Sequence, residues 1–299
     1  MIESPRNAVA DFCRGGAVTW EKFWFLPATA SRLAVVRILA GLLGVALAWS
    51  WGTDLVGWFG DGGIVSPAVL EAWRSPTAVS LFDFVRSPPA LWALFLAGVI
   101  AFVLLAAGAA TPIVAPLAAI FWASLLHRAP MLAGPADDVL AAMLWCLVVS
   151  RAGDTLSVDR MLAGREPAPS WRNRTALGLL RIHASVIAAA AILSQLKADI
   201  WWDGTAAWWL ASRESSRIGI AGILARSEWL TNLVTHAITL FEGAFALGLW
   251  QRLCRPLVAW AGIICWPLIG LLAGETFWGG AMAILSFACL PTAEDDTRP

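Results

Sequence analysis

Between Leu33 and Leu290 long, almost uncharged apolar stretches alternate with short polar segments. A helix needs about 20 predominantly apolar residues to cross the hydrocarbon layer of a bilayer. By that rule the pattern predicts eight candidate spans: residues 33–51, 89–107, 112–126, 136–150, 176–196, 229–250, 256–273 and 276–290. The third, fourth and eighth fall short of the usual crossing length, so any of them could be re-entrant. Gly108 and the Thr111-Pro112 pair predict a tight turn between the second and third. The expected fold is an all-α, polytopic transmembrane helical bundle of about eight spans. An N-terminal cytoplasmic or interfacial segment covers 1–30, the membrane domain 31–290 and a polar tail 291–299.

Two segments outside the spans read as ordered. Residues 17–25 mix aromatics with charge and suit a membrane surface. Residues 52–88 form a long loop that still carries Val65, Val69, Leu70, Val79, Leu81 and Phe82. A loop with that apolar content is expected to fold back onto the helices as a structured extracytoplasmic cover.

Composition agrees with this pattern. Hydrophobic residues make up 59% of the 299 and charged residues 14%, whereas a soluble domain has about a quarter charged. The formal net charge is +0, which offers no basic field for nucleic acid. The five cysteines (Cys13, Cys146, Cys254, Cys265 and Cys289) show no metal-ligand spacing. The N-terminus lacks the short apolar core and small-residue cleavage site of a signal peptide. Loop charges set the orientation. With the N-terminus inside, the inner segments hold Arg6, Arg14, Lys22, Arg32, Arg151, Arg160, Arg165, Arg172, Arg174, Arg252, Arg255 and Arg298. The outer segments hold only Arg74, Arg86, Arg128, Arg213, Arg217 and Arg226. Both termini are therefore expected in the cytoplasm of a multi-pass cell-membrane protein. Most of the 19 Trp, Trp51 among them, fall at the predicted interfaces, as amphipathic rings do.

Ionisable groups within or beside spans are costly and each needs a reason. His127 and Arg128 end the third span, Asp137 and Asp138 open the fourth, and Lys197 and Asp199 end the fifth. Trp202 and Asp203 follow, His236 and Glu242 lie in the sixth, and Glu275 separates the last two. In a bundle these groups could line one outward cavity. Lys197, one of only two lysines, reads either as an amine base or as a snorkelling anchor. His127 reads as a base or as a hydrogen-bonded rim residue. Asp137 and Asp138 read as helix caps or as acids. Arg181 and His183 lie in the inner half of the fifth span, and an Arg181–Glu242 lock between helices is one expectation. Gly41 and Gly44 read as sites of close helix packing. No phosphate loop, nucleophile elbow or metal motif occurs.

Several segments stand in a recognisable order: Arg37 in VRILAGLLG, FGDGGIVSP at 59–67, SLFDF at 80–84 and LLHRAPML at 125–132 with Asp137. LLRIHASVIAAAAILSQLKADIWWDGTAAWW at 179–209 and THAITLFEGAF at 235–245 follow. This order resembles the HTTM family, the membrane domain shared by vitamin K-dependent γ-carboxylases and bacterial relatives that include the sporulation-delaying protein B group. The sequence departs from that pattern in having His183 for a usual Gln, Trp266-Pro267 where a Phe-His pair is common, and no Tyr.

The resemblance implies a membrane protein that takes part in maturation or processing of an exported peptide on the extracytoplasmic side. The bilayer, that peptide and a companion membrane or soluble protein would be its partners. Two other readings stay open. One is a carboxylase-like or oxidoreductase-like enzyme using a lipid quinone, with Lys197 as base. The other is a non-catalytic scaffold or transporter. The candidate catalytic residues are Lys197, His127 and Asp137. The candidate substrate-binding residues are Asp61, Arg128, Trp202, Asp203, His236 and Glu242, and no metal is expected.

Overall fold

A computed structural model describes residues 18–291 apart from 61, 65–68, 70–71, 76, 86 and 165. Each predicted apolar segment is a helix: α1 (Ser31–Gly52), α2 (Pro88–Ala107), α3 (Thr111–Arg128), α4 (Pro135–Val149), α5 (Trp171–Gln195), α6 (Glu228–Gly248), α7 (Arg255–Ala273) and α8 (Thr276–Ala288). Local chemistry sets their ends. α2 opens on Pro88-Pro89, whose missing amide hydrogens are no loss in a first turn, and closes on Gly108 in the left-handed conformation. The hydroxyls of Ser170 and Ser227 accept backbone N–H bonds that cap α5 and α6. Among the described residues there is no strand, only an isolated bridge between Ala28 and Ser170.

Five of these helices, α1, α2, α5, α6 and α7, are long and apolar enough to cross a membrane. The expected count of eight is therefore not reached on length and composition. The two shortest helices, α4 with 15 residues and α8 with 13, hold the central positions. α4 packs against α1, α3, α5 and α8, and α8 packs against α1, α4, α5 and α7. A helix enclosed by neighbours need not match the hydrocarbon thickness, because protein rather than lipid surrounds it. Small residues let the backbones approach: a Cβ on Gly41 would lie 2.8 Å from the Phe102 carbonyl of α2, and one on Gly44 would strike the Phe102 ring. The expected close-packing role of both glycines holds.

Successive helices run up and down, which divides the connections between two faces. The terminal face carries residues 18–30, the 108–111 turn, the 150–170 segment, residues 249–254 and the described C-terminal end. The loop face carries 53–87, 129–134, 196–227 and the 274–275 turn. Beneath the loop face, Trp51, Phe59, Phe82, Phe95, Phe102, Phe121 and Trp122 form a continuous ring network with centroids 5.2–6.3 Å apart. Phe59 and Phe82 belong to the 52–88 loop and are buried. That loop packs as expected at those anchors, while Val69, Val79 and Leu81 stay exposed. Trp51 is buried too, a correction to its expected interfacial place.

Candidate functional site

The loop face gathers some of the sequence-selected groups and disperses the rest. Asp137 is buried in the first turn of α4. One carboxylate oxygen accepts the Trp51 indole N–H at 3.1 Å and the other accepts the Gly134 amide at 2.7 Å. The Asp137 carbonyl accepts the Trp122 indole at 3.0 Å. With both oxygens engaged, the residue ties α1, α3 and α4 together. His127 is exposed, with Nδ1 2.9 Å from the Val79 carbonyl. Arg128 donates to the Phe59 carbonyl at 3.4 Å. Both contacts hold the 52–88 loop down on α3, and Ser80 adds a 2.7 Å bond from its hydroxyl to the Ser124 carbonyl. Arg74 and Asp83 brace the same loop with a 2.7 Å ion pair. Partial burial would raise the Asp83 carboxyl, but the Arg74 guanidinium and the Ser80 amide hold it below the ordinary carboxylate range. Asp61 lies outside the described residues.

Glu242 is 2% exposed, fourteen residues into α6. Its Oε2 accepts the Gln195 side-chain amide at 2.6 Å, and Gln195 Oε1 accepts the Thr239 hydroxyl at 2.9 Å. This buried triad joins α5 to α6. Arg181, the expected partner of Glu242, stands about four turns further back along α5, with its guanidinium 6.0 Å from the Phe23 ring centroid. The interhelical lock therefore runs through Gln195. A polar residue in an apolar helix one position from the Lys197 turn was the sequence signal for it.

Lys197 is exposed on the turn after α5, and among the described residues its side chain has no hydrogen bond or ion pair. The expected acidic neighbour does not pair with it: among the described residues no carboxylate comes within ion-pairing distance of its amine. Asp203 is exposed and accepts the amide and hydroxyl of Thr205 at 2.9 and 2.7 Å, which lower its pKa. Trp202 is exposed and donates to the Leu196 carbonyl at 3.1 Å. These contacts shape the 196–205 turn, which Thr235 of α6 anchors through bonds to Gly204 and Ala207. His236 is exposed on α6.

The loop face holds an open cavity of about 660 Å³ beside Val56, Gly60 and Pro88, and a second, of about 270 Å³, between the end of α1, the start of α4 and the α7–α8 turn. Asp137, Trp51, Arg217, Glu275 and Phe277 line the smaller one. Arg217 and Glu275 are exposed, and their side chains make no hydrogen bond or ion pair with the described residues. The Arg217 backbone is pinned by a 2.9 Å bond to the Leu271 carbonyl. Of the sequence-selected set, only Asp137 and Glu275 meet here. Arg217 was missed as a site residue because nothing local in sequence links it to α4 or to the α7–α8 turn.

The terminal face is built differently. Arg37 is fully buried in α1 and donates to the carbonyls of Ala152 at 2.9 Å and Leu156 at 2.6 Å. Asp159 accepts the amides of Ala110 and Thr111 at 2.6 and 2.7 Å, closing the N-terminus of α3 from a distant segment. A Cβ on Gly108 would collide with the Arg37 guanidinium, so this turn requires glycine for space as well as for its φ of +71°. Arg32 and Arg255 both donate to the Leu290 carbonyl, and Asn173 ties Ala28 to Arg151.

The architecture is that of a helical bundle in which five helices are long and apolar enough to cross a membrane. No protein-family model, curated protein or solved structure matches the chain. Lys197 is exposed and does not line the cavity beside Asp137 and Glu275, so that cavity does not place a lipid quinone against its amine. No metal-holding group of His, Cys, Asp or Glu occurs among the described residues.

Proposed function

We propose that this is a multi-pass membrane protein with its terminal face in the cytoplasm and its loop face outside. We further propose that the smaller loop-face cavity binds an exported peptide during its maturation. The supporting observation is the pair of unengaged opposite charges, Arg217 and Glu275, at the rim of a cavity walled by Trp51, Leu47 and Phe277. A peptide end offers an ammonium or carboxylate beside an apolar side chain, which matches that lining. The volume suits a chain terminus rather than a folded partner. The order of HTTM-like motifs supports the same reading. Binding is favoured over catalysis, because Asp137 is bonded on both oxygens and Lys197 stands apart.

The test is the peptide content of the culture medium, read by mass spectrometry. Cells carrying the wild-type protein should release a processed peptide that is lost or left unprocessed with Arg217→Ala or Glu275→Gln. Identical peptide profiles with and without the protein would end the proposal. A reporter fused after Pro299 should be active only as a cytoplasmic reporter.

A further inference from the structure

We propose that the terminal face carries a site for an anionic phospholipid headgroup, formed by Arg160 and Arg172 where α3 begins and α4 ends. The observations are a cavity, its mixed lining and the surface beside it. The cavity, of about 810 Å³, lies between α3, α4 and the 150–170 segment. Its lining combines apolar Pro112, Ala115, Leu147 and Val148 with Arg151, Arg160 and Arg172, and with Asp154, Asp159 and Glu166. Apolar side chains beside guanidinium groups match the mixed chemistry of a phospholipid, whose chains are apolar and whose phosphate is anionic.

Charge within the lining is unevenly compensated. Arg151 is paired with Asp154 at 2.9 Å, and Asp159 is occupied by the α3 amides. Arg172 donates to neutral carbonyls, Val149 at 2.7 Å and Val148 at 3.4 Å, and among the described residues it forms no ion pair. Arg160 meets Glu166 at 3.2 Å, but that glutamate is 95% exposed and a weak competitor, and the Arg160 Nη1 is buried with no acceptor. A phosphate oxygen is an acceptor of the kind that Nη1 lacks, and each guanidinium presents a fork of donors that suits a phosphodiester.

The adjoining surface identifies the source as lipid. The short helix Val158–Ala163 presents Met161 and Leu162 at 83% and 82% exposure, next to Leu156 at 63%. Apolar side chains so fully presented beside arginines suit a helix lying in the headgroup layer. Exposed Trp171, 6.0 Å from Phe25, marks the same level.

The test uses the full chain purified in a neutral detergent and titrated with phosphatidylglycerol, phosphatidylcholine or inorganic phosphate, with bound lipid counted by native mass spectrometry. Phosphatidylglycerol should bind more tightly than phosphatidylcholine, by about fivefold for each arginine engaged. Arg160→Ala with Arg172→Ala should abolish the preference, and Arg213→Ala on the opposite face should leave it intact. For the wild-type protein alone the preference should shrink as salt rises, since surface charge is screened. Equal binding of the two lipids, a salt-independent preference, or displacement of the lipid by millimolar inorganic phosphate would each overturn the proposal.

Discussion

Two polar clusters, one toward each face, solve the same problem with different residues. On the terminal face Arg37 and Asp159 bond almost entirely to backbone groups, and through them they fix the 108–111 turn and the 152–159 segment at once. On the loop-face side Glu242 and Gln195 bond to each other and to Thr239, side chain to side chain, and fix only the approach of α5 and α6. A buried charge that satisfies several backbone carbonyls is a structural keystone, since its loss orphans groups that cannot leave. A side-chain pair is separable, because both partners can be replaced together. The terminal face is thus a clamp, while the loop face combines a few ties with groups left unengaged.

The largest expected effect is therefore at Arg37. Arg37→Met would leave the buried Ala152 carbonyl without its donor, release the Leu156 carbonyl and remove the positive charge facing Asp159. A loss of about 3 kcal/mol is expected, read as a fall in the unfolding midpoint of the detergent-solubilised protein. A midpoint within error of wild type would show that the clamp is not the keystone.

Glu242→Leu comes next. It strands the Gln195 amide and should cost about 2 kcal/mol. Gln195→Leu alone should cost a similar amount, and the double variant clearly less than both together, because no polar group then remains unpaired. Simple additivity in that cycle would mean that the two side chains act independently.

A smaller effect follows from Asp159. Burial would raise this carboxyl, but the Thr111 and Ala110 hydrogen bonds and the Arg37 charge hold it below the ordinary range. Its stabilisation is complete above the unfolded-state carboxylate pKa and is lost as the pH falls through the depressed folded value. Wild-type stability should therefore drop on acidification below the usual carboxylate range, and Asp159→Asn should flatten that drop. An unchanged acid limb in the variant would remove Asp159 from the clamp.

Which of these features the sequence displayed depends on their range along the chain. Helix positions were legible because apolar runs and their Gly, Pro and Ser punctuation are local: α2 and α3 begin and end within two residues of the predicted bounds. The central placement of α4 and α8 was not, since the length rule describes helices that face lipid and says nothing of one enclosed by four neighbours. Arg37 stood out by its charge, but its acceptors lie more than a hundred residues away. Asp137 was legible as a cap, whereas its Trp51 contact inverted the expectation for that tryptophan. Lys197 was conspicuous through rarity, and rarity carries no information about burial.

The smallest expected effect is at that residue. The Lys197 side chain is exposed and engages no described group, so its removal strands nothing. Substitutions at such sites usually change stability by less than about 0.5 kcal/mol, and both Lys197→Ala and Lys197→Arg should unfold with the wild-type midpoint. The two variants also separate charge from chemistry. Arginine keeps the positive charge but cannot serve as a base at neutral pH. If the loop-face cavity acts by binding through Arg217 and Glu275, both variants should release the same processed peptide as wild type, while Glu275→Gln does not. Loss of the peptide in Lys197→Ala and Lys197→Arg alike, with unchanged unfolding, would show that a titratable amine is required. The functional centre would then move from the cavity to the turn after α5.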